Sequence, residues 1–224
     1  MLPEASSIRS LFLAGPAGRL EALLTAGSPD ATHAAIVCHP LPLYGGTLHN
    51  KVVFHTMKAL NGFGFPVLRF NFRSAGLSEG EHANGIGEVE DARAALDWLE
   101  REFTLPIVFA GFSFGAAVGL RAAYSDERVR ALIALGLPAV PVAVHNENRV
   151  YDFDFLRGCA KPKLFVSGSR DQFGPAGKLE ALVDTFAEPK KLVRIAAGDH
   201  FFEGRLRELR DAIEAWVKEL IAVR

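Results

Sequence analysis

The chain has 224 residues, 49% of them hydrophobic, with 25 basic against 26 acidic side chains for a net charge of −1. That length and apolar content suffice to bury a sizeable core, and the near-neutral balance gives no electrostatic footprint for nucleic acid or an anionic membrane surface. Two cysteines, Cys38 and Cys159, fall short of a disulfide framework, no apolar run approaches about 18 residues, and Met1-Leu2-Pro3-Glu4 opens without a basic or apolar leader pattern; the expectation is one soluble domain over 1–224 in a reducing, cytoplasmic setting.

Residues 10–14 and 20–24 read as two short strands around Gly15-Pro16-Ala17-Gly18, a hairpin signal. A third strand, 34–38, runs into His39-Pro40-Leu41-Pro42-Leu43-Tyr44-Gly45-Gly46. Residues 51–61 read as a helix stopped at Gly62, and 65–72 as the fourth strand. Val89, Ala92, Leu96 and Leu99 fall at i, i+3, i+7 and i+10, an amphipathic helix with acidic residues at its start.

The apolar run 106–110 predicts a fifth strand, and the alanine-rich stretch 116–124 predicts a helix. Between them stands Gly111-Phe112-Ser113-Phe114-Gly115, so the serine falls where a strand turns sharply into a helix. Residues 131–135 read as the sixth strand and 163–167 as the seventh, ending in Gly168-Ser169-Arg170-Asp171. After a helix at 176–186, the eighth strand at 191–196 ends in Ala197-Gly198-Asp199-His200. Leu206, Leu209, Ile213, Trp216 and Leu220 form one stripe of a C-terminal helix. Strands alternating with helices after an initial hairpin predict an α/β fold with a mostly parallel eight-stranded sheet, helices on both faces and an antiparallel N-terminal edge.

A serine hydroxyl is a poor nucleophile unless a base takes its proton and a third group orients the base. The chain order serine, then an acid after a later strand, then a histidine after the last strand supplies Ser113, Asp171 and His200, and it differs from the orders in chymotrypsin and subtilisin folds. Asp152, Asp154 and Asp199 compete for the acid's place, but Asp199 is adjacent to His200 and suits an Asx contact that shapes the turn. An oxyanion hole needs two backbone N–H groups. Phe114, following the serine, offers one; the loop after the third strand offers the other from Leu41, since Pro40 and Pro42 have no N–H, with Leu43 as the fallback.

The chain resembles a small, nearly cap-free member of the α/β-hydrolase superfamily, close to the bacterial-type serine hydrolases related to its dienelactone-hydrolase and acyl-peptidase branches. The resemblance is carried by residues 39–47, Arg69 to Arg73 with Gly76 to Gly80, the turn around Ser113, Tyr151 to Phe155, Asp171 and Asp199 to Phe202. It implies an α/β-hydrolase fold with a minimal cap and a serine hydrolase that cleaves a carboxylic ester or related acyl bond through a Ser-His-Asp triad and an acyl-enzyme. The alternatives are a non-catalytic small-ligand binder on the same scaffold and an amide- or thioester-cleaving enzyme with the same triad.

The expected partner is a small-molecule acyl substrate, with neither nucleic acid nor a membrane; the oligomeric state is left open. No cofactor is expected: Gly62-Phe63-Gly64 and Gly85-Ile86-Gly87 lack the third glycine of a dinucleotide loop, no P-loop pattern exists, and the histidines lack metal-ligand spacing. His39, Tyr44, Tyr151, Phe153 and Phe201 are the candidate pocket residues, although His39 also suits a structural role, holding the oxyanion loop by hydrogen bonding. Of the 22 aromatic residues 17 are Phe, mostly core, with Phe112, Phe114, Phe201 and Phe202 placed to give apolar walls. Residues 139–157 alternate Tyr151, Phe153 and Phe155 in a polar stretch, which reads either as a short lid over the pocket or as a surface connection packed down by those rings.

Overall fold

Strands β1 (Ile8–Gly15) and β2 (Gly18–Thr25) pair antiparallel from Ile8 opposite Thr25 to Gly15 opposite Gly18 in the computed structural model, which describes residues 7–144 and 147–222. Met1 to Glu4, and His145 and Asn146 of the proposed lid, lie outside the described residues. After the hairpin come β3 (Ala34–Cys38), α1 (Lys51–Asn61), β4 (Val67–Phe70), α2 (Ile86–Phe103), β5 (Ile107–Phe112), α3 (Phe114–Ala123) and β6 (Val129–Leu135). A short ribbon, β7 (Val142–Val144) and β8 (Glu147–Arg149), precedes β9 (Lys163–Gly168), α4 (Ala176–Asp184), β10 (Lys190–Ile195) and α5 (Leu206–Ala222).

Eight strands form one sheet in the order β1-β2-β4-β3-β5-β6-β9-β10, parallel from β4 to β10 and antiparallel where β2 meets β1 and β4. Both faces are covered. On central strand β5, Ile107 and Phe109 join Val89, Leu96, Leu99 and Val118 under α2 and α3, while Val108, Ala110 and Phe112 join Val52, Met57, Ile213 and Trp216 under α1 and α5. The period-2 alternation of a strand buried on both faces produces this division, and each fully buried Phe contributes about 1.5–3 kcal/mol.

The helix limits follow local chemistry. The Asn50 side chain accepts the Val52 N–H at 2.9 Å and caps α1. The buried Glu88 carboxylate accepts the Gly85 and Ala83 N–H groups at 2.8 and 2.9 Å, which starts α2 three residues before its apolar stripe. The fourth strand is shorter than the run 65–72 because its flanks are engaged elsewhere: Pro66 has no N–H, the Asn71 N–H donates to the Glu21 carbonyl, and the Phe72 N–H donates to His39 Nε2. The β7–β8 ribbon was not visible as such in the apolar pattern of residues 139–157. Among the described residues no helix is long and apolar enough to cross a membrane.

Candidate active site

Every element of the site sits at the carboxyl ends of the parallel strands, where an open α/β sheet leaves a crevice. Ser113 joins β5 to α3 with φ 55° and ψ −116°, a left-handed conformation that is strained for a residue with a β-carbon. The turn is held by its N–H donating to the Leu135 carbonyl at 2.8 Å and its carbonyl accepting the Ala117 N–H at 3.0 Å. Glycines two residues either side make the turn possible. A β-carbon on Gly111 would collide with the Gly115 carbonyl oxygen, and one on Gly115 with the carbonyl oxygens of His39 and Cys38.

His200 reaches this serine from the loop after β10. Its Nε2 lies 2.9 Å from Ser113 Oγ, and its Nδ1 is 3.0 Å from both carboxylate oxygens of Asp171. An ionised carboxylate only accepts, so Nδ1 carries the proton and Nε2 is left to accept from the serine hydroxyl. Burial opposes the charge on Asp171, but the hydrogen bonds from His200 and from the Phe173 and Gly174 N–H groups outweigh it and hold the carboxyl below its ordinary range. The loops bearing acid and histidine are stitched together: Arg170 N–H donates to the Gly198 carbonyl at 2.8 Å and Ala197 N–H to Ser169 Oγ at 2.9 Å. The imidazole is boxed by Phe112, Phe173 and Phe201, with ring centroids 5.0, 4.6 and 5.2 Å away. Gly136, at φ 55°, leaves room for it, since a β-carbon there would sit 3.1 and 3.2 Å from two ring atoms of His200.

The other carboxylates are engaged elsewhere. Asp199 Oδ1 accepts the Glu203 N–H at 2.9 Å, shaping the turn, while Asp152 faces Arg121 and Asp154 faces Arg157.

Leu41 and Phe114, the two proposed oxyanion donors, both line the cavity beside Ser113. Neither N–H donates to a protein acceptor among the described residues, so both remain available to a ligand. The loop that holds Leu41 closes on itself, its carbonyl accepting the N–H groups of Tyr44 and Gly46 at 3.2 and 3.0 Å. Residues 69–73, which carry part of the resemblance, run from the end of β4 beside this loop. Asn71 accepts the Leu48 N–H at 2.7 Å and donates to Glu21, and Arg73 makes a forked pair with the buried Asp91.

His39 is fully buried and is not on the cavity wall, which corrects its assignment to the pocket. Its Nδ1–H donates to the Pro40 carbonyl at 2.6 Å and its Nε2 accepts the Phe72 N–H at 2.9 Å, so both nitrogens are used in tying the exits of β3 and β4 together. Burial lowers its pKa from 6.5 to about 4, against the raising effect of the Pro40 carbonyl. A folded-state pKa below the unfolded one means that the unfolded chain takes up this proton first as pH falls. His39 should therefore contribute full stability above pH 6.5, lose it between about 6.5 and 4, and level off below, for about 3 kcal/mol in all. Urea unfolding at pH 7 and 5 should show His39→Gln less stable than the parent at pH 7 and less sensitive to acid. An equal acid slope in both proteins would remove His39 as the cause.

The cavity measures about 230 Å³. Tyr44, Tyr151 and Phe201 line it as expected, and Asn50, Pro138, Val142, Gln172 and Phe173 join them without having been singled out in the sequence. Phe153 does not line it. It is 3% exposed and packs in the core between Tyr151 and Phe155, where the chain leaves the extended conformation for a short 3-10 helix, Asp154–Gly158. Phe202 is likewise buried in the opposite core layer. Cys38 is buried in β3, where desolvation pushes its thiol up and leaves it inert. Among the described residues no group of three or more His, Cys, Asp and Glu could hold a metal ion.

Residues 45–222 match the family model of the alpha/beta hydrolase domain. An uncharacterized protein of Rickettsia prowazekii is 33% identical over 214 residues, covering 92% of this chain and 87% of its own length. The solved structure of an alpha-beta serine hydrolase homologue from Coxiella burnetii superposes with a TM-score of 0.83 at 37% identity, covering 92% of this chain and 96% of that one. A Xanthomonas campestris structure, described as an a/b serine hydrolase without lid, gives a TM-score of 0.81 at 34% identity and covers 98% and 97% of the two chains.

Proposed function

We propose that this chain, which belongs to the alpha/beta hydrolase family, is a serine hydrolase that cleaves a carboxylic ester through an acyl-enzyme. The observation that carries the reading is the continuous contact from Asp171 through His200 to Ser113 Oγ, at 3.0 and 2.9 Å, opening onto one cavity. Ser113 Oγ attacks the acyl carbon as its proton passes to His200 Nε2. Asp171 keeps the imidazole in the required tautomer and stabilises the imidazolium. The Leu41 and Phe114 N–H groups receive the developing oxyanion, the largest single contribution in chemistry of this kind. His200 then protonates the departing alcohol, and water, deprotonated by the same nitrogen, releases the acid.

A fluorophosphonate probe should label Ser113 and no other residue, and esters should turn over faster than matched thioesters and amides. An unlabelled Ser113 together with saturable ligand binding would make the protein a binder on a hydrolase scaffold. Faster thioester or amide cleavage would move it to another class of acyl enzyme.

Residues 139–157 act in this reading as a short lid. Tyr44 Oη donates to the Ala143 carbonyl at 3.1 Å, linking the oxyanion loop to the ribbon, while Arg149 donates to Asn84 Oδ1 at 2.8 Å on the ribbon's other strand. Tyr151 and Phe153 should separate the lid from its anchor. Tyr151→Ala should change relative kcat/KM between short and medium acyl esters by roughly tenfold with little loss of stability. Phe153→Ala should cost about 3–5 kcal/mol through the cavity it leaves. Equal selectivity in wild type and Tyr151→Ala would reduce the segment to a surface connection.

A further inference from the structure

We propose that two copies of this chain pair antiparallel through the outer edge of β1, centred on Ser10, as a two-fold dimer with one continuous sheet. Strands β1 and β10 are the two ends of the sheet, and an end strand offers a row of unpaired backbone groups to any other strand. The chain guards only one of them. β10 follows Pro189 and carries Lys190, Lys191 and Arg194 among its six residues, the proline and charge that blunt an edge. β1 runs eight residues without proline. Its single charged side chain, Arg9, is turned back onto its own chain, donating to Glu102 at 2.6 Å and lying over the Trp98 ring, 5.7 Å from its centroid.

The register fixes which groups point outward. The Ala26 N–H donates to the Ser7 carbonyl at 2.9 Å, and these two residues continue the pairing in which Ile8 lies opposite Thr25. Hydrogen-bonded pairs alternate with non-bonded ones in an antiparallel ladder. Arg9, Leu11 and Leu13 therefore spend their backbone groups on β2, while Ile8, Ser10, Phe12 and Ala14 aim theirs outward. Among the described residues no backbone hydrogen bond outside the β1–β2 ladder reaches these four. Their side chains also face away from the core, leaving Ile8 and Phe12 56% and 46% exposed. A second copy satisfies both. With Ser10 opposite the partner's Ser10, Ile8 lies opposite the partner's Phe12 and Phe12 opposite the partner's Ile8. Each pair exchanges two hydrogen bonds, and each exposed ring gains a β-branched neighbour, a favourable cross-strand pairing. The guarded β10 edges are left outside, so assembly closes at two copies instead of growing into a fibre.

Sedimentation velocity over roughly 1–300 µM should show the full chain passing from monomer to dimer. Ser10→Pro removes an outward N–H and leaves the β1–β2 ladder intact, and Phe12→Lys sets a charge against the partner's Ile8. The two-fold axis counts each change twice, so each should weaken the dimer by roughly 100-fold. Lys191→Gln, on the opposite edge, should leave it unchanged. Amide exchange of Ile8, Ser10 and Phe12 should slow as the protein is concentrated, while Arg9 and Leu11 stay protected at every concentration. Phe12→Lys alters only an exposed side chain and decides the matter if Ser10→Pro does not fold. A monomer throughout the range, a dimer that Phe12→Lys leaves intact, or outward amides indifferent to concentration would overturn the proposal. None of these readouts depends on catalysis, so a failure here leaves the hydrolase reading standing.

Discussion

Alanine at Ser113 is expected to lower kcat on any hydrolysed ester by roughly 10⁴- to 10⁶-fold, and alanine at His200 by a similar factor, with the double variant no worse than either alone. The losses do not add because one covalent step needs both groups: without the base the hydroxyl stays protonated, and without the hydroxyl the base has nothing to activate. The contact of 2.9 Å between Oγ and Nε2 is the structural form of that dependence. Stability gives an independent readout. Ser113 holds φ 55°, which costs a residue with a β-carbon about 1–3 kcal/mol. Ser113→Ala keeps that backbone cost and should melt close to wild type, whereas Ser113→Gly should be equally inactive and more stable. Single-turnover kinetics with thermal melts would decide; Ser113→Ala matching wild-type turnover would sink the mechanism.

Asn at position 171 should reduce kcat by about 10³- to 10⁴-fold, because an amide can donate to His200 Nδ1, stabilise the wrong imidazole tautomer, and offers no charge to the imidazolium. Asp199→Asn should cost less than about tenfold, since its oxygen serves the Glu203 N–H and a carboxamide oxygen accepts the same bond. Steady-state kinetics of the two variants on one ester make the comparison, and a reversal of the two effects would assign the acid to Asp199. The sign of the pH effect on stability follows from the lowered Asp171 pKa. Its contribution is complete above the unfolded carboxyl value and is lost as pH falls through the lower folded value. Acid unfolding of Asp171→Asn should therefore lack that part of the transition.

Much of the fold was legible because its signals are local. The hairpin at Gly15 and Gly18, the α1 stop at Gly62, the spaced apolar stripe of α2 and the near-continuous apolar runs of β3, β5 and β9 each depend on neighbours within a turn or a strand. Glycines flanking Ser113 predicted the tight strand-to-helix turn for the same reason, and the structure shows the collisions that any β-carbon there would cause. The order of Ser113, Asp171 and His200 along the chain, each after a predicted strand, placed them at one end of a parallel sheet, where the structure brings them into contact.

The chemistry of individual wall positions was not legible, because it depends on which segments meet. Tyr151 and Phe153 share one alternating pattern, yet the first faces the cavity and the second fills the core, since the 3-10 helix Asp154–Gly158 that follows Phe153 ends the period that the sequence implied. His39 lies in a loop rich in turn residues and looked available to substrate, but its two hydrogen bonds to Pro40 and Phe72 bury it. Asn50, Pro138, Val142, Gln172 and Phe173 come from three separate connections, after β3, between β6 and β9, and after β9, and carry no shared spacing. By itself, then, the sequence determined the strand and helix order, the turn at Ser113 and the set of reacting groups, because backbone preference and apolar period act over a few residues. Only the tertiary structure decided the cavity's size and the side chains that bound it, because these arise where residues distant along the chain converge and compete for the same space.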